Sequence, residues 1–305
     1  MVTFKPLVPP LILPQDDQNP KGATTIPRKS PSLSVMIQDT LTLSSWLLIG
    51  GLLQGLCLMA LGPIAILPTV LILLYRLVDH LLMVFHITRN RYMEEVIHAK
   101  YSPQIPYPDG SFGNVPSREQ IVVFHLGARS NHPLGIFAPG MKGLRDSSLE
   151  MLKDMYADPD KSGLLGASRW TKQEDAAGNE TKTVFYFRDY DSLHRFAYGE
   201  LHMNGVRYWN KITKSNPHLA IYHETYVVPC GNWEAIYINC KPTGLGDTWF
   251  KFCDKEDKSS VIHGFMRPIV DASTGILRSK TGRLSMSQIQ KIEEYDEVYG
   301  ESGKV

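Results

Sequence analysis

The sequence predicts an α+β protein in which a ferredoxin-like domain is preceded by an N-terminal transmembrane segment. Three observations carry this reading. No charged residue stands between Asp39 and Arg76. Beyond Arg118, short β-rich runs alternate with segments of helical spacing. Their order is strand, helix, strand, strand, helix, strand, which is two βαβ-type halves with the helices on one sheet face.

Taken in order, residues 1–45 are rich in proline, serine and threonine and hold no sustained period, so a disordered tail is expected there. Residues 46–85 form the expected anchor. The uncharged run exceeds the roughly 20 apolar residues that cross a bilayer, and it lies too far along the chain for a cleavable signal peptide. A buried core helix is the rival, disfavoured because so long an uncharged run is rare in soluble helices. Gly62, Pro63 and Pro68 interrupt the run. Proline removes a backbone donor and kinks a helix. One kinked helix fits, and so does a hairpin with legs over 47–61 and 64–85. Asp79 and His80 place the bilayer exit near Arg76. Lys21, Arg28 and Lys29 precede the run, and Arg76, Arg89 and Arg91 follow it. Basic residues on both flanks give no orientation, and they suit a hairpin with both ends in the cytosol.

Residues 86–117 read as an amphipathic helix over 86–100 and then a proline-rich linker. The soluble domain spans 118–267. Its expected strands are 121–126, 164–169, 183–188, 220–228 and 234–239. Its expected helices are 142–156, with Leu144, Leu149, Leu152 and Met155 near helical spacing, and 192–202, capped by Asp189 or Asp191. Residues 268–305 read as a polar, weakly packed tail.

Charge and cysteines narrow the function. With 32 Lys+Arg against 31 Asp+Glu, the formal net charge is +1. No basic stripe marks a nucleic-acid binder. Cys57 falls in the apolar run, and Cys230, Cys240 and Cys253 lack the spacing of a zinc site or disulfide framework. A reducing, cytosol-facing domain follows. Asn179 begins a glycosylation triplet of a kind that arises often by chance. There is no HExxH, no GxSxG, and no full dinucleotide fingerprint at Gly244–Leu245–Gly246.

Chemistry-bearing residues are densest in 187–239. His194, His202, His218 and His223 lie there with Arg195, Arg207, Tyr208 and Trp209. On one helix, His194, Tyr198 and His202 would share a face. On a regular strand, Tyr222, Glu224 and Tyr226 point one way and His223 the other, so His223 and Glu224 cannot both face one pocket. Histidine titrates near neutrality and can move protons. A histidine in a sheet is nonetheless more often a packing residue than a catalyst, and the tyrosines and tryptophans suit a core or pocket wall. Arg207 suits a carboxylate or an exposed surface equally.

Phe187–Arg188, His202, Trp209, the HETY of 223–226, Glu234 with IYIN over 236–239, and Pro242 with the GLG of 244–246 form a set that resembles a family of fungal and bacterial monooxygenase-like proteins. That family is related to the dimeric α+β barrels of antibiotic-biosynthesis monooxygenases and, more distantly, to haem-bearing aldoxime dehydratases. Within it the resemblance is to membrane-bound polyketide monooxygenases of the fumagillin-pathway type. It covers residues 122–250, the second half more specifically.

The resemblance implies oxygenation of a hydrophobic polyketide or polyene intermediate in fungal secondary metabolism. It carries over His202, His223, Glu224 and Trp209 as catalytic candidates. Phe187, Arg207, Tyr222, Tyr226 and Tyr237, with Phe185, are the expected substrate-binding wall between helices and sheet. His202 or His223 would serve as the base, with molecular oxygen as co-substrate and no metal or flavin. A haem-dependent lyase with His202 or His223 as axial ligand is the alternative, and a non-catalytic membrane scaffold is a third. Expected partners are a lipophilic small molecule, a membrane, a second copy covering the open sheet edge, and other enzymes of the pathway. No nucleic acid is expected. The expected location is integral in the endoplasmic reticulum membrane.

Overall fold

The computed structural model describes residues 3–12, 37, 41–172, 180–257 and 260–284. Residues 4–12 lie against the domain that follows much later in the chain, and end in a short strand, β1 (Leu11–Ile12). Two apolar helices come next, α1 (Leu43–Leu61) and α2 (Leu67–Val84). Thr42 caps α1 by accepting a hydrogen bond from the Ser45 amide at 3.3 Å. Gly62, at φ 68°, ends it. A 3₁₀ turn over Gly62–Ile66 joins the two helices, with Pro63 and Pro68 at the first turns of their segments, where a missing amide is tolerated. Residues 43–84 are long and apolar enough to cross a membrane, and none of the most apolar stretch is buried.

The amphipathic helix expected over 86–100 does not form. His86 and Glu95 take left-handed backbone angles (φ 58° and 62°), which stop a helix at the start of the stretch and again within it. Residues 97–103 are instead a strand, β2 (Ile97–Pro103), whose Tyr101 and Ser102 are fully buried. Burial between two neighbouring strands overrides the local helical spacing.

The central unit begins with β3 (Ile121–Ser130) and α3 (Met141–Ala157), then a short α4 (Pro159–Ser162) and β4 (Leu164–Thr171). β5 (Glu180–Phe187) follows, then α5 (Tyr190–Ala197), α6 (Glu200–Ile212) and β6 (Leu219–Val228). The sheet order is β4-β5-β3-β6, antiparallel throughout. This is the ferredoxin-like β-α-β-β-α-β arrangement expected from the order of elements. The helix expected over 192–202 is two helices, because the chain turns at Tyr198–Gly199 and α6 runs on to Ile212.

Alternation along β3 decides what each sheet face carries. Val122, Phe124, Leu126 and Ala128 face the helices, opposite Phe187, Phe185, Thr183 and Thr181 of β5. Val122, Met155, Tyr156, Leu164, Phe185, Phe187 and Leu193 form the core beneath α3 and α5. Each such buried side chain contributes about 1.5–3 kcal/mol.

Two further sheets flank this unit. β7 (Tyr237–Cys240) joins β2, which also pairs with β10 (Ile269–Asp271). β8 (Phe250–Asp257) pairs with β9 (Ser260–Met266), and β9 pairs with β1. The expected strand 234–239 starts only at Tyr237. The expected weak packing after 268 is also corrected, as far as residue 284. Ile269, Val270, Ala272 and Leu277 are buried, and Arg283, in the short α7 (Lys280–Arg283), donates to Glu234 Oε2 at 2.7 Å. The expected disordered tail is corrected over residues 4–12, which dock through Phe4 and Leu7. The polar turn at 173–179, including Asn179, lies outside the described residues.

Candidate active site

Between the sheet and the helices lies a cavity of about 180 Å³. Phe124 and Leu126 line it from β3, Phe185 and Phe187 from β5, Met151 and Leu152 from α3, Phe196 from α5, and His202 and Trp209 from α6. The floor is aromatic: the Phe124 and Phe185 rings lie 5.8 Å apart and those of Phe185 and Phe187 6.2 Å apart. Two helix glycines set how closely α3 and α6 approach. A Cβ at Gly205 would lie 2.3 Å from Met151 Cε, and one at Gly143 would lie 2.1 Å from the Tyr208 hydroxyl. Glycine inside a helix costs about 1 kcal/mol relative to alanine. Here that cost accompanies a close contact that a methyl group would obstruct.

His202 is the imidazole that lines this cavity. The turn at Tyr198–Gly199 leaves the last carbonyls of α5 without intrahelical partners. One of them, Ala197 O, lies 2.6 Å from His202 Nδ1. A carbonyl only accepts, so Nδ1 carries the proton when the ring is neutral and Nε2 carries the lone pair. The Phe196 ring packs 5.4 Å from the imidazole. Trp209 lies about two turns further along α6 and also packs toward Ala138, Met141 and Leu219.

The other sequence-selected residues divide. His223 lies on the helix side of β6, opposite Leu126, with its ring 5.7 Å from Phe124, but it is exposed on the edge strand and outside the cavity lining. Glu224 pairs with His125 on the opposite face. The pairing of β3 with β6 runs without a bulge, so His223 and Glu224 point to opposite sides, as alternation requires. Glu224 Oε2 lies 3.3 Å from His125 Nδ1 and accepts from the Tyr226 hydroxyl at 3.1 Å. That bond to a carboxylate raises the Tyr226 pKa.

Tyr222 shares this second face. Its ring lies across Gly127, and its hydroxyl donates to Glu180 Oε1 at 2.9 Å. Burial and the adjacent Glu180 carboxylate raise its pKa. A separate open hollow of about 470 Å³ includes Tyr222, His125, Trp170 and Tyr186. The single expected pocket wall is therefore corrected: Tyr222, Glu224 and Tyr226 lie across the sheet from His202, Trp209, Phe185 and Phe187. Tyr237 belongs to neither cavity. It stacks on Tyr101 in the β2–β7 sheet, centroids 5.0 Å apart, and burial pushes its phenol up to about 12. Arg207 is exposed on α6, donates to Asn204, and lines neither cavity. His194 and Tyr198 do meet, at 4.5 Å between rings, but the turn after Tyr198 breaks the expected row to His202.

Arg169 is a lining residue that the sequence reading passed over. It comes from β4, opposite Thr183, and reaches the cavity from its solvent-exposed rim. Desolvation by the apolar surroundings lowers its pKa. Among the described residues no carboxylate pairs with it. The alternation RWT after the strand LLGAS was the one available signal, since it puts Arg169 on the same face as Ala167. Also among the described residues, no group of three His, Cys, Asp or Glu side chains is placed to hold a metal ion.

The family model described as monooxygenase af470-like matches residues 121–245, the span from β3 through the loop after β7. Monooxygenase af470 of Aspergillus fumigatus is 35% identical over 266 residues, covering 86% of this chain and 94% of its own. The chain belongs to the monooxygenase af470-like family. It is an oxidoreductase of the monooxygenase class. Among solved structures, an aldoxime dehydratase (OxdRE) in complex with butyraldoxime is 18% identical, with a TM-score of 0.33 over 42% of this chain and 36% of that one. SnoaB, a cofactor-independent oxygenase from Streptomyces nogalater, is 6% identical, with a TM-score of 0.25 over 35% of this chain and 91% of that one. The matched span of this monooxygenase af470-like chain thus covers about a third of the aldoxime dehydratase's length.

Proposed function

We propose that this monooxygenase oxygenates a hydrophobic polyketide- or polyene-type intermediate of secondary metabolism in the cavity between the sheet and α3, α5 and α6. The observation that carries the reading is His202, a base with its tautomer set by Ala197 O, in an aromatic cavity that Arg169 also lines. His202 Nε2 takes a proton from an activated carbon of the substrate. Arg169 stabilises the negative charge left on the substrate. The carbanion reacts with dioxygen, and the substrate supplies the electrons: a CH₂ becomes C=O and one water leaves. Phe124, Phe185, Phe187 and Trp209 hold the apolar body of the substrate.

The apolar helices α1 and α2 anchor the enzyme in a membrane, which we assign to the endoplasmic reticulum with the catalytic domain in the cytosol. Such an anchor brings the site to a substrate that partitions into lipid. A second copy covers the exposed edge of β6, and other enzymes of the same pathway hand over the substrate.

The test uses detergent-purified full chain. No Soret or flavin absorbance is expected, and oxygen is consumed with a polyketide that carries an acidic methylene. His202→Ala lowers kcat about 10²–10⁴-fold, the range for loss of a general base. Full activity in a His202→Ala/His223→Ala double variant removes the base assignment. A haem reading has one observation in its favour: a carbonyl holding Nδ1 of His202 is also how axial and metal-bound imidazoles are oriented. A Soret band lost in His202→Ala would replace the cofactor-free reading with that one.

A further inference from the structure

We infer that residues 43–84 enter and leave the bilayer through the same face, so that the N-terminal strand and the catalytic domain share one side of the membrane. This rests on the membrane anchoring proposed above.

The decisive observation is the docking of residues 4–12, which precede the apolar segment, onto strands that follow it. The Phe4 amide donates to Gly113 O at 2.9 Å, and the Leu7 amide donates to Ile269 O at 3.1 Å. The Asp271 amide donates to Lys5 O at 2.9 Å. Leu11 and Ile12 pair with Phe265 and Gly264 as an edge of the β8–β9 sheet. Phe4 packs on the cluster that holds Phe252, Val270 and Leu277. A strand bonded into a sheet cannot lie across a bilayer from that sheet. In sequence, residues 13–42 offer no uncharged run of about 20 residues, since Asp16, Asp17, Lys21, Arg28, Lys29 and Asp39 are spread through them. The excursion between Ile12 and β2 must therefore return to its own side.

The segment is built to return. Gln54 Nε2 donates to Ala65 O at 3.0 Å, and Gln54 Oε1 accepts from the Thr69 hydroxyl at 2.9 Å. On an unbroken helix, residues 54 and 69 would lie roughly 22 Å apart along the axis. The chain reverses at Gly62 instead, and the 3₁₀ turn folds back along α1. Pro68 has no amide to offer the carbonyls of the preceding turn, so Ala65 O would otherwise be unpaired in hydrocarbon, where such a group costs several kcal/mol. Gln54 supplies that bond, which accounts for an amide side chain in the middle of an uncharged run.

The dimensions fit a hairpin. α1 has 19 residues, about 28 Å at 1.5 Å per residue, whereas α2 has nine residues, about 14 Å, before Arg76, where the bilayer exit falls, so the return leg is short of the ~30 Å hydrocarbon core and leads back toward the face of entry. Leu47, Leu52, Leu71 and Leu73 are among many exposed apolar side chains on both legs, as lipid contact requires. Where α2 ends, polar contacts gather as at an interface: Arg91 pairs with Asp79, and His80 Nε2 lies 3.0 Å from the Tyr92 hydroxyl.

The experiment uses the full chain with one epitope tag before Met1 and a different one after Val305, made in sealed microsomes. Alkaline carbonate extraction comes first. Release into the supernatant would overturn the anchoring itself. With the chain retained in the pellet, protease is added without detergent. Loss of both tags, or protection of both until detergent is added, is the expected result. Loss of one tag with protection of the other overturns the same-face hairpin and leaves the anchoring standing.

Discussion

His202 owes its chemistry to one hydrogen bond. With Nδ1 donating to Ala197 O, the lone pair is left on Nε2. Arg169 lines the same cavity as a cation without a carboxylate partner among the described residues. Each fact has a separable consequence. Removing Arg169 breaks no ion pair among the described residues, so Arg169→Met should change folding stability by less than about 0.5 kcal/mol, as surface-rim substitutions do. It should raise KM or lower kcat by at least about tenfold, the weight of one charge-assisted contact. Urea unfolding and steady-state oxygen uptake on the same preparation check both halves. A loss of activity that merely tracks a loss of stability would remove Arg169 from the site. The sequence singled out His202 because of its neighbours, yet passed over Arg169, which sits in an unremarkable strand. Its relevance depends on Thr183 of β5 being opposite it, and that pairing is a long-range fact.

At the scale of the element, α5 and its cap hold the site together. Asp189 Oδ1 accepts from the Ser192 amide at 2.7 Å, and Oδ2 accepts from Arg188 Nε at 2.9 Å. The helix it starts carries Phe196 into the cavity and ends at the carbonyl that orients His202. Burial pushes the Asp189 carboxyl up, but the bonds from Arg188 and Ser192 outweigh it and hold the pKa below the usual value. A carboxylate depressed in the folded state stabilises above its unfolded pKa of about 3.9 and loses that contribution as pH falls through the folded value. Asp189→Ala should therefore cost about 1 kcal/mol at neutral pH. The gap between variant and parent urea midpoints should be constant above about pH 5 and narrow below about pH 4. A gap that widens on acidification would contradict this account. The sequence pointed to Asp189 or Asp191 as the cap, and the structure selects Asp189. The break at Gly199 was not anticipated. The helical pattern continues through it, and only the orphan carbonyl and its capture by His202 explain why the turn matters.

For the whole molecule, three sheets share the work. The central sheet carries the cavity, and the two smaller ones bring together chain ends that the sequence separates widely. β6 is an edge strand with Ile221, Tyr222, Tyr226 and Val227 exposed. An edge of this kind is an invitation to pair with another chain. The proposed second copy predicts that light scattering of the detergent-solubilised protein returns the mass of two chains. Tyr226→Asp should halve that mass while leaving the melting temperature close to that of the wild type. A wild-type mass of one chain removes the dimer.

Several properties were legible in the order of residues alone. The charge-free run from Thr40 to Tyr75 announced a segment long and apolar enough to cross a membrane, because that property depends on composition and length alone. The succession of β-rich and helically spaced runs from residue 121 to 228 announced the ferredoxin-like unit, because periodicity is local. Opposite faces for His223 and Glu224 followed from strand alternation. Tertiary structure decided what depends on partners far apart in sequence. It turned 97–103 from helix to strand by burying Tyr101 between β7 and β10. It gave Ile269 and Leu277 a core to enter. It split the expected aromatic wall between two sheet faces and a second sheet. It also returned the N-terminal strand to the domain beyond the apolar helices, since the hydrogen bond between Leu7 and Ile269 joins residues that no local pattern relates.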